Sequence, residues 1–241
     1  GYVSFKAGTA SRQPTVYAAA NDGMLHAFDA STGEERWAFI PTIVMPNMYK
    51  LADRNYAHEF YVDGTPTIAD VKVGGNWKTI LVGGLNKGGR GYYALDVTDP
   101  LNPKALWQFA NDAAFSSVTP DPNLGLSYGN PTITKLYNGS GTGRWVALLT
   151  SGYNNVSPGD GKGYLYVLDA YTGQRLATIS TGAGTTGTPS GLGRVGAWVE
   201  QADDNTALRA YAGDLLGNLW RFDINNLLPG PDAFKIAQLT G

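Results

Sequence analysis

Two small groups of residues are of types that could support catalysis or ligand binding. Two histidines, His26 and His58, lie apart from each other and from any serine nucleophile motif, so neither a hydrolase nor a histidine metal site is indicated. A glycine-rich loop at 83–91 carries Lys87 and Arg90, the composition of an anion cradle, but the Gly-Lys-Ser/Thr ending of a phosphate loop is missing. We expect packing and turn formation at these positions, and no catalytic residue is assigned.

Four aspartates recur at the same point of a repeated phrase. Each ends a short stretch that opens with glycine and alternates in the manner of a strand. Aspartate favours turns because its carboxylate accepts hydrogen bonds from backbone N–H groups two residues further on. A catalytic pair would have to converge at one point, so this regular placement predicts turn capping instead. The four residues are Asp29, Asp96, Asp169 and Asp223.

Two further recurrences precede this phrase and complete a repeating unit. The first is a Gly-x-Pro triplet before an alternating stretch, and the second is a tryptophan seven residues before a glycine. Each unit predicts four strands in fixed order, with hairpin turns at 74–76 and 138–139 between the first two strands of two units. The triplets stand at 64–66, 129–131 and 187–189, and the pairs are Trp77 with Gly84 and Trp145 with Gly152.

Repeated four-stranded units predict an all-β chain, a β-propeller of four-stranded antiparallel blades in which each blade covers its neighbour's apolar face. A β-sandwich, the other all-β possibility, does not explain repeats of this length. We expect helical turns only at 42–52, a strand at 2–5, and exposed loops at 111–128 and 154–162. The single domain, residues 1–241, divides into blades at about 2–39, 64–109, 129–180 and 187–240, with an insertion at 40–63.

Composition removes several functional classes. The chain has 241 residues with 18 Lys+Arg against 20 Asp+Glu, and this balance argues against binding nucleic acid through its phosphates. Because there is no cysteine, disulfides, thiolate zinc sites and cysteine nucleophiles are excluded. No apolar run approaches the ~18 residues of a membrane span, so we expect none in this segment.

Three phrases closely resemble the C-terminal β-propeller domain of the PilC/PilY-type type IV pilus biogenesis factors and tip adhesins. They are ANDGMLHAFD at 20–29, YVDGTP at 61–66 and YAGDLLGNLWRFD at 211–223. The resemblance implies a propeller of more than four blades, of which this chain would form part, in an exported protein. A looser resemblance, confined to DASTGEERW at 29–37, links the first unit to pyrroloquinoline-quinone dehydrogenases.

The pilus resemblance implies a non-enzymatic protein that promotes pilus extension and contributes to adhesion through protein or surface contacts. Its partners would be pilus proteins such as minor pilins and a receptor on a host or abiotic surface. Its location would be the cell surface, at the pilus tip or outer membrane. Two alternatives stay open: a quinone-dependent propeller dehydrogenase and a scaffold propeller of the outer membrane, because a fold alone does not define a function.

The resembled family also carries a calcium loop, Asp-x-Asp-x-Asp-Gly-x-x-Asp, just before the Tyr-Ala-Gly-Asp phrase. Counted back from that phrase, the loop positions here are Glu200, Ala202, Asp204, Asn205 and Leu208. Glu200 and Asp204 are retained as acidic ligands, while two ligand positions are apolar and the turn glycine is replaced by asparagine. Calcium prefers about six to eight oxygen ligands. We therefore favour a solvated acidic turn at Asp203 and Asp204 over a calcium site, and expect no cofactor.

Overall fold

The part of the chain that the structure describes forms four antiparallel β-sheets that follow one another in sequence. The structure is a computed structural model and describes residues 1–137, 143–201, 203–224 and 233–239. In these residues the strands are β1 (Thr15–Ala19), β2 (Leu25–Asp29), β3 (Glu35–Phe39), β4 (Thr67–Val73), β5 (Asn76–Gly84), β6 (Gly91–Asp96), β7 (Lys104–Ala110), β8 (Thr132–Leu136), β9 (Arg144–Thr150), β10 (Tyr164–Asp169), β11 (Arg175–Ser180), β12 (Val195–Val199), β13 (Ala207–Gly213), β14 (Asn218–Asp223) and β15 (Ala233–Gln238).

Each sheet is a meander in which every strand pairs with the next one along the chain. The first sheet contains β1–β3, the second β4–β7, the third β8–β11 and the fourth β12–β15. The predicted turn between β4 and β5 is present, and Gly74 and Gly75 have φ values of 55° and 86° that glycine adopts without steric cost. The predicted turn at 138–139 lies outside the described residues. The all-β fold class of the prediction is confirmed.

The first sheet differs from the prediction because it has three strands, not four. The segment 2–5, predicted as a strand, belongs to helix α1 (Tyr2–Gly8), so the expectation that helical turns occur only at 42–52 was wrong. Tyr2 and Phe5 are three positions apart, so they lie on the same face of a helix. Their rings lie 4.6 and 6.4 Å from the ring of Trp77, and this aromatic packing favours the helix.

Two other segments refine the predicted elements. The helical turns expected at 42–52 are present as a 3-10 segment, Met45–Ala52, and a shorter one lies at Asn86–Gly88. In the fourth unit the first strand, β12, begins at Val195 and not directly after Pro189. Between them the backbone at Gly191 has a φ of 60°, which is not a strand conformation. No helix within the described part of the chain combines the length and apolar character required to span a bilayer.

Apolar cores lie between successive sheets. Between the second and third sheets, the rings of Phe109 and Tyr166 meet edge to face with centroids 5.1 Å apart, and both are buried. Two indole N–H groups also cross between sheets: Trp37 donates to the carbonyl of Pro100 at 2.8 Å and Trp107 to that of Ala170 at 3.1 Å. Successive sheets therefore stabilise one another through their faces, and the last strands of the first and second sheets also bond to the sheet that follows.

The predicted exposure of two loops was wrong in part. Ser127 and Asn155, in the loops at 111–128 and 154–162, are fully buried. Ser127 Oγ donates to the carbonyl of Gly91 at 2.7 Å, and Asn155 Nδ2 donates to the carbonyls of Asn123 and Lys162 at 3.0 and 2.7 Å. Buried backbone groups need partners. These polar side chains supply them where the loops pass between sheets.

The outer face of the fourth sheet carries exposed apolar side chains. Trp220 and Phe222 of β14 point into the core shared with the third sheet, so their strand neighbours face the other way. On that outer face Trp198 is 58% exposed, Phe234 44% and Leu219 40%. An uncovered apolar face of this kind favours association.

We expect the 241-residue chain to self-associate as its concentration rises. Replacing Trp198 and Phe234 with threonine should shift the chain toward monomer, because apolar area is removed from the outer face. Size-exclusion chromatography with light scattering measures this. The control is Tyr49→Thr, which removes a 72% exposed ring from the Met45–Ala52 segment. A wild-type chain that stays monomeric, or a control that acts as strongly as the double variant, would show the idea to be wrong.

Candidate functional site

Asp29, Asp96 and Asp169 cap turns, as predicted, whereas the segment 225–232 that follows Asp223 lies outside the described residues. Asp29 Oδ1 accepts hydrogen bonds from the backbone N–H groups of Ser31 and Thr32 at 2.7 and 3.2 Å. Asp169 Oδ1 accepts equivalent bonds from Tyr171 and Thr172 at 3.1 and 2.8 Å. These backbone bonds, with the Arg36 guanidinium, hold the pKa of Asp29 below its ordinary value.

A basic side chain neutralises each of these carboxylates. Burial raises the pKa of Asp96, but its bonds from Thr98 and Tyr171 and the nearby Lys78 ammonium outweigh burial, so the pKa is lowered. The carboxylates are thus occupied by the chain's own donors, which is a structural role and not a proton-transfer role. The ion pairs are Asp29 with Arg36 (2.6 Å), Asp96 with Lys78 (3.5 Å), Asp169 with Arg144 (2.9 Å) and Asp223 with Arg221 (3.0 Å).

The cations of the glycine-rich loop also contact protein groups. Lys87 Nζ lies 4.7 Å from the ring centroid of Phe60, and the Arg90 guanidinium donates to the carbonyls of Val156 and Ser157 at 3.1 and 3.3 Å. A Cβ atom at Gly88 would come within 1.7 Å of the Tyr61 carbonyl oxygen. The glycines of this loop therefore permit close packing against the insertion.

His26 lies between two carboxylates. Its Nδ1 is 2.8 Å from Glu35 Oε1 and its Nε2 is 2.9 Å from Asp22 Oδ2, while His58 packs its ring against Phe60 with centroids 4.9 Å apart. Burial lowers the pKa of His26, but the hydrogen bonds and charges of Glu35 and Asp22 outweigh burial, so the pKa is raised. The protonated ring therefore stabilises the first sheet.

We predict a pH-dependent contribution from His26 to the free energy of unfolding. A raised folded-state pKa means that the contribution is complete below the unfolded pKa of about 6.5 and is lost as the pH rises through the folded value. From about pH 6 to about pH 9, urea unfolding of wild type should lose up to ~1 kcal/mol that His26→Gln does not lose, since both carboxylates are partly solvated. The control is His58→Gln. Identical pH profiles for wild type and His26→Gln would contradict the assignment.

The acidic turn that corresponds to the calcium loop is tied to the third sheet. Lys135 Nζ pairs with Asp204, and this bond holds the pKa of Asp204 below its ordinary value. The Asn205 carbonyl accepts from the Lys135 N–H and from Thr134 Oγ1, both at 2.9 Å. Glu200 is exposed in the same connection, and Ala202 lies outside the described residues.

This arrangement does not fit a calcium ion. A lysine ammonium already occupies the carboxylate of Asp204, and calcium would have to approach that positive charge. Within the residues that the structure describes, no three His, Cys, Asp or Glu side chains lie close enough together to hold a metal. Glu200 and Asp204 thus both lie in the segment between β12 and β13, but they are not part of a cluster of metal ligands.

Calcium should therefore leave the melting temperature of the chain unchanged. Wild type, Asp204→Ala and Glu200→Ala are compared by thermal unfolding with millimolar calcium and with a chelator. Asp204→Ala should have a lower melting temperature than wild type in both conditions, because it loses the ion pair with Lys135. The loss corresponds to up to ~1 kcal/mol of unfolding free energy. A rise in melting temperature that requires calcium and disappears in Asp204→Ala would show a working ion site.

Two tryptophans that the sequence marks only as repeat positions, Trp77 and Trp145, lie next to each other in the structure. Trp77 and Trp145 are the second residues of β5 and β9, and their ring centroids are 6.0 Å apart. Their equal spacing from Gly84 and Gly152 was the available signal, since equal positions in neighbouring units lie side by side in a propeller. Both line a cleft that also contains Asp203 and Asp204.

Known proteins are similar to this chain in sequence and in fold. A family model described as the PilY1 beta-propeller domain matches residues 1–238. The type IV pilus biogenesis factor PilY1 of Pseudomonas aeruginosa is 42% identical over 226 residues, which is 92% of this chain and 18% of that protein. A PilY1 homolog of Xylella fastidiosa is 40% identical over 241 residues, 99% of this chain and 18% of that protein.

A solved structure is similar as well. The crystal structure of the Pseudomonas aeruginosa PilY1 C-terminal domain aligns with a TM-score of 0.74 at 42% sequence identity. The alignment covers 93% of this chain and 41% of that one. The chain thus spans 18% of the length of each of these two curated relatives and less than half of the solved domain.

Proposed function

Because the chain belongs to the PilY1 β-propeller domain family, we propose that it acts in type IV pilus biogenesis at the cell surface. It promotes pilus extension and takes part in adhesion, without catalysing a reaction. The observation that carries this proposal is the family match over residues 1–238. Relatives with 42% and 40% identity are named as type IV pilus biogenesis factors or their homologs, which supports the same role.

The hydrogen bonding of the titratable groups supports a non-enzymatic role. A catalytic acid, base or nucleophile has to be available to a substrate. Here Asp29, Asp96 and Asp169 are engaged by turns and basic partners, and His26 is held between Glu35 and Asp22. These groups build the scaffold on which contact surfaces are carried.

Exposed side chains support contacts with other pilus proteins, such as minor pilins, or with a surface receptor. The insertion presents Met45, Tyr49 and Tyr56 to solvent, and methionine and tyrosine are enriched in protein interfaces. The apolar outer face of the fourth sheet supports a ring with further blades, in keeping with a solved relative of which this chain covers 41%.

The test is made in the bacterium with the full-length protein. Deleting its gene should reduce surface pili and attachment to surfaces, and inactivating pilus retraction in the same cells should restore pili. Gly88→Ala, which forces a Cβ against the Tyr61 carbonyl oxygen, should act like a partial deletion because overpacking destabilises by about 1–3 kcal/mol. The matched control is Gly187→Ala in an exposed loop, since a Cβ there meets only Thr185 Oγ1, at 4.0 Å.

Two results would overturn the proposal. Normal piliation and attachment in the deletion strain would remove the role in pilus biogenesis. Pili that stay absent after retraction is inactivated would contradict a role in extension against retraction. Attachment measured per surface pilus separates adhesion from assembly, because an adhesive role requires that each remaining pilus attaches less well.

A further inference from the structure

A cleft lies where the first and second strands of three sheets are joined. Trp77 of β5 and Trp145 of β9 line it, with ring planes at 68° to each other. The Trp77 ring is also packed against the rings of Tyr2 and Phe5. Among the described residues, Trp77 is the one aromatic ring that contacts Trp145, so Trp145 is the better placed of the two to offer a face to a ligand. The cleft has a volume of about 440 Å³, within the range of ~300–1,000 Å³ found for small-molecule sites.

Charged groups of both signs line the same cleft. Asp70 and Lys72 come from β4, Lys135 comes from β8, and Asp203 and Asp204 come from the turn before β13. Carboxylates accept hydrogen bonds and ammonium groups donate them, so a ligand there meets both kinds of partner. Three acidic and two basic side chains leave the cleft close to neutral.

The walls of the cleft are fixed by bonds within the protein. Lys135 pairs with Asp204, and the Asp203–Asn205 turn is bonded to β8 through the Asn205 carbonyl. On the opposite side, Asp70 accepts from Thr79 Oγ1 at 2.6 Å and from the Tyr2 hydroxyl at 2.9 Å. A site whose side chains are already held loses little conformational entropy when a ligand enters.

The chemistry of the cleft favours a neutral ligand with an apolar face and a polar rim. A cation would meet Lys72 and Lys135, and an anion would meet Asp70 and Asp203. A sugar ring carries no charge, presents C–H groups on its faces that pack on an indole, and has hydroxyl groups that both donate and accept. We infer that this cleft binds a pyranose sugar, with its ring on a tryptophan face and its hydroxyls on the charged side chains.

The inference goes beyond the proposed function, because the cleft can bind sugar whether or not the protein promotes pilus extension. The measurement is saturation-transfer NMR on the full-length protein with methyl β-D-glucopyranoside, methyl β-D-galactopyranoside and methyl α-D-mannopyranoside, each at millimolar concentration. Ring protons of at least one glycoside should receive saturation. Trp145→Ala should weaken that binding about tenfold, because it removes a stacking face.

A second variant guards against loss of the fold. Asp203→Asn changes an exposed side chain and should weaken binding several-fold with an unchanged circular dichroism spectrum. The control is Tyr49→Ala, which removes an exposed aromatic ring from the Met45–Ala52 segment, outside the cleft, and should bind as wild type does. Absence of saturation on all three glycosides would overturn the inference. So would binding that neither Trp145→Ala nor Asp203→Asn weakens, or that Tyr49→Ala weakens equally.

Discussion

The packing of each sheet on the next is the constraint on which the rest of this structure depends. Strands of five to nine residues in sheets of three or four cannot shield their own faces from water. Full burial of a large apolar side chain contributes about 1.5–3 kcal/mol, and each core gathers many of them. The stability of one sheet therefore belongs in part to its neighbours, as in other repeat proteins.

Polar groups at the sheet boundaries follow from the same constraint. A loop that passes between two sheets must find partners for its backbone inside the protein. The Tyr92 hydroxyl donates to the Thr150 carbonyl of the third sheet at 3.1 Å, and burial raises the pKa of Tyr92 to about 12. The Tyr171 hydroxyl donates to Asp96 of the second sheet at 3.0 Å. These bonds help to set the relative position of the second and third sheets.

Most of the fold could be predicted because period-two alternation and turn glycines act locally. The strands after Pro66 and Pro131 and the turn at Gly74 depend only on neighbouring residues. The failures have non-local causes. The segment at 2–5 is helical because Tyr2 and Phe5 reach Trp77, more than seventy residues away. Ser127 is buried because its loop crosses between sheets.

In the candidate sites, too, the features set by neighbouring residues could be predicted and those set by distant contacts could not. Aspartate capping is local, and Asp29 and Asp169 behave as their spacing predicts. The pairing of Lys135 with Asp204 joins residues that are 69 positions apart, and no pattern in the sequence announces it. The cleft between Trp77 and Trp145 requires knowledge of which sheet ends meet. Repeat spacing indicates that the two tryptophans are equivalent, but not that charged groups of three sheets surround them.

Hydrogen exchange in the Trp107→Ala variant tests most directly whether the stability of one sheet depends on its packing against the next. Trp107 is buried in the second sheet, its N–H donates to Ala170 beyond the third sheet's β10, and its loss costs about 3–5 kcal/mol. Mass spectrometry on the full-length protein should find faster exchange in β4–β7 and in β8–β11 together, as expected when two sheets share one core. Faster exchange confined to β4–β7, with β8–β11 as protected as in wild type, would contradict the account.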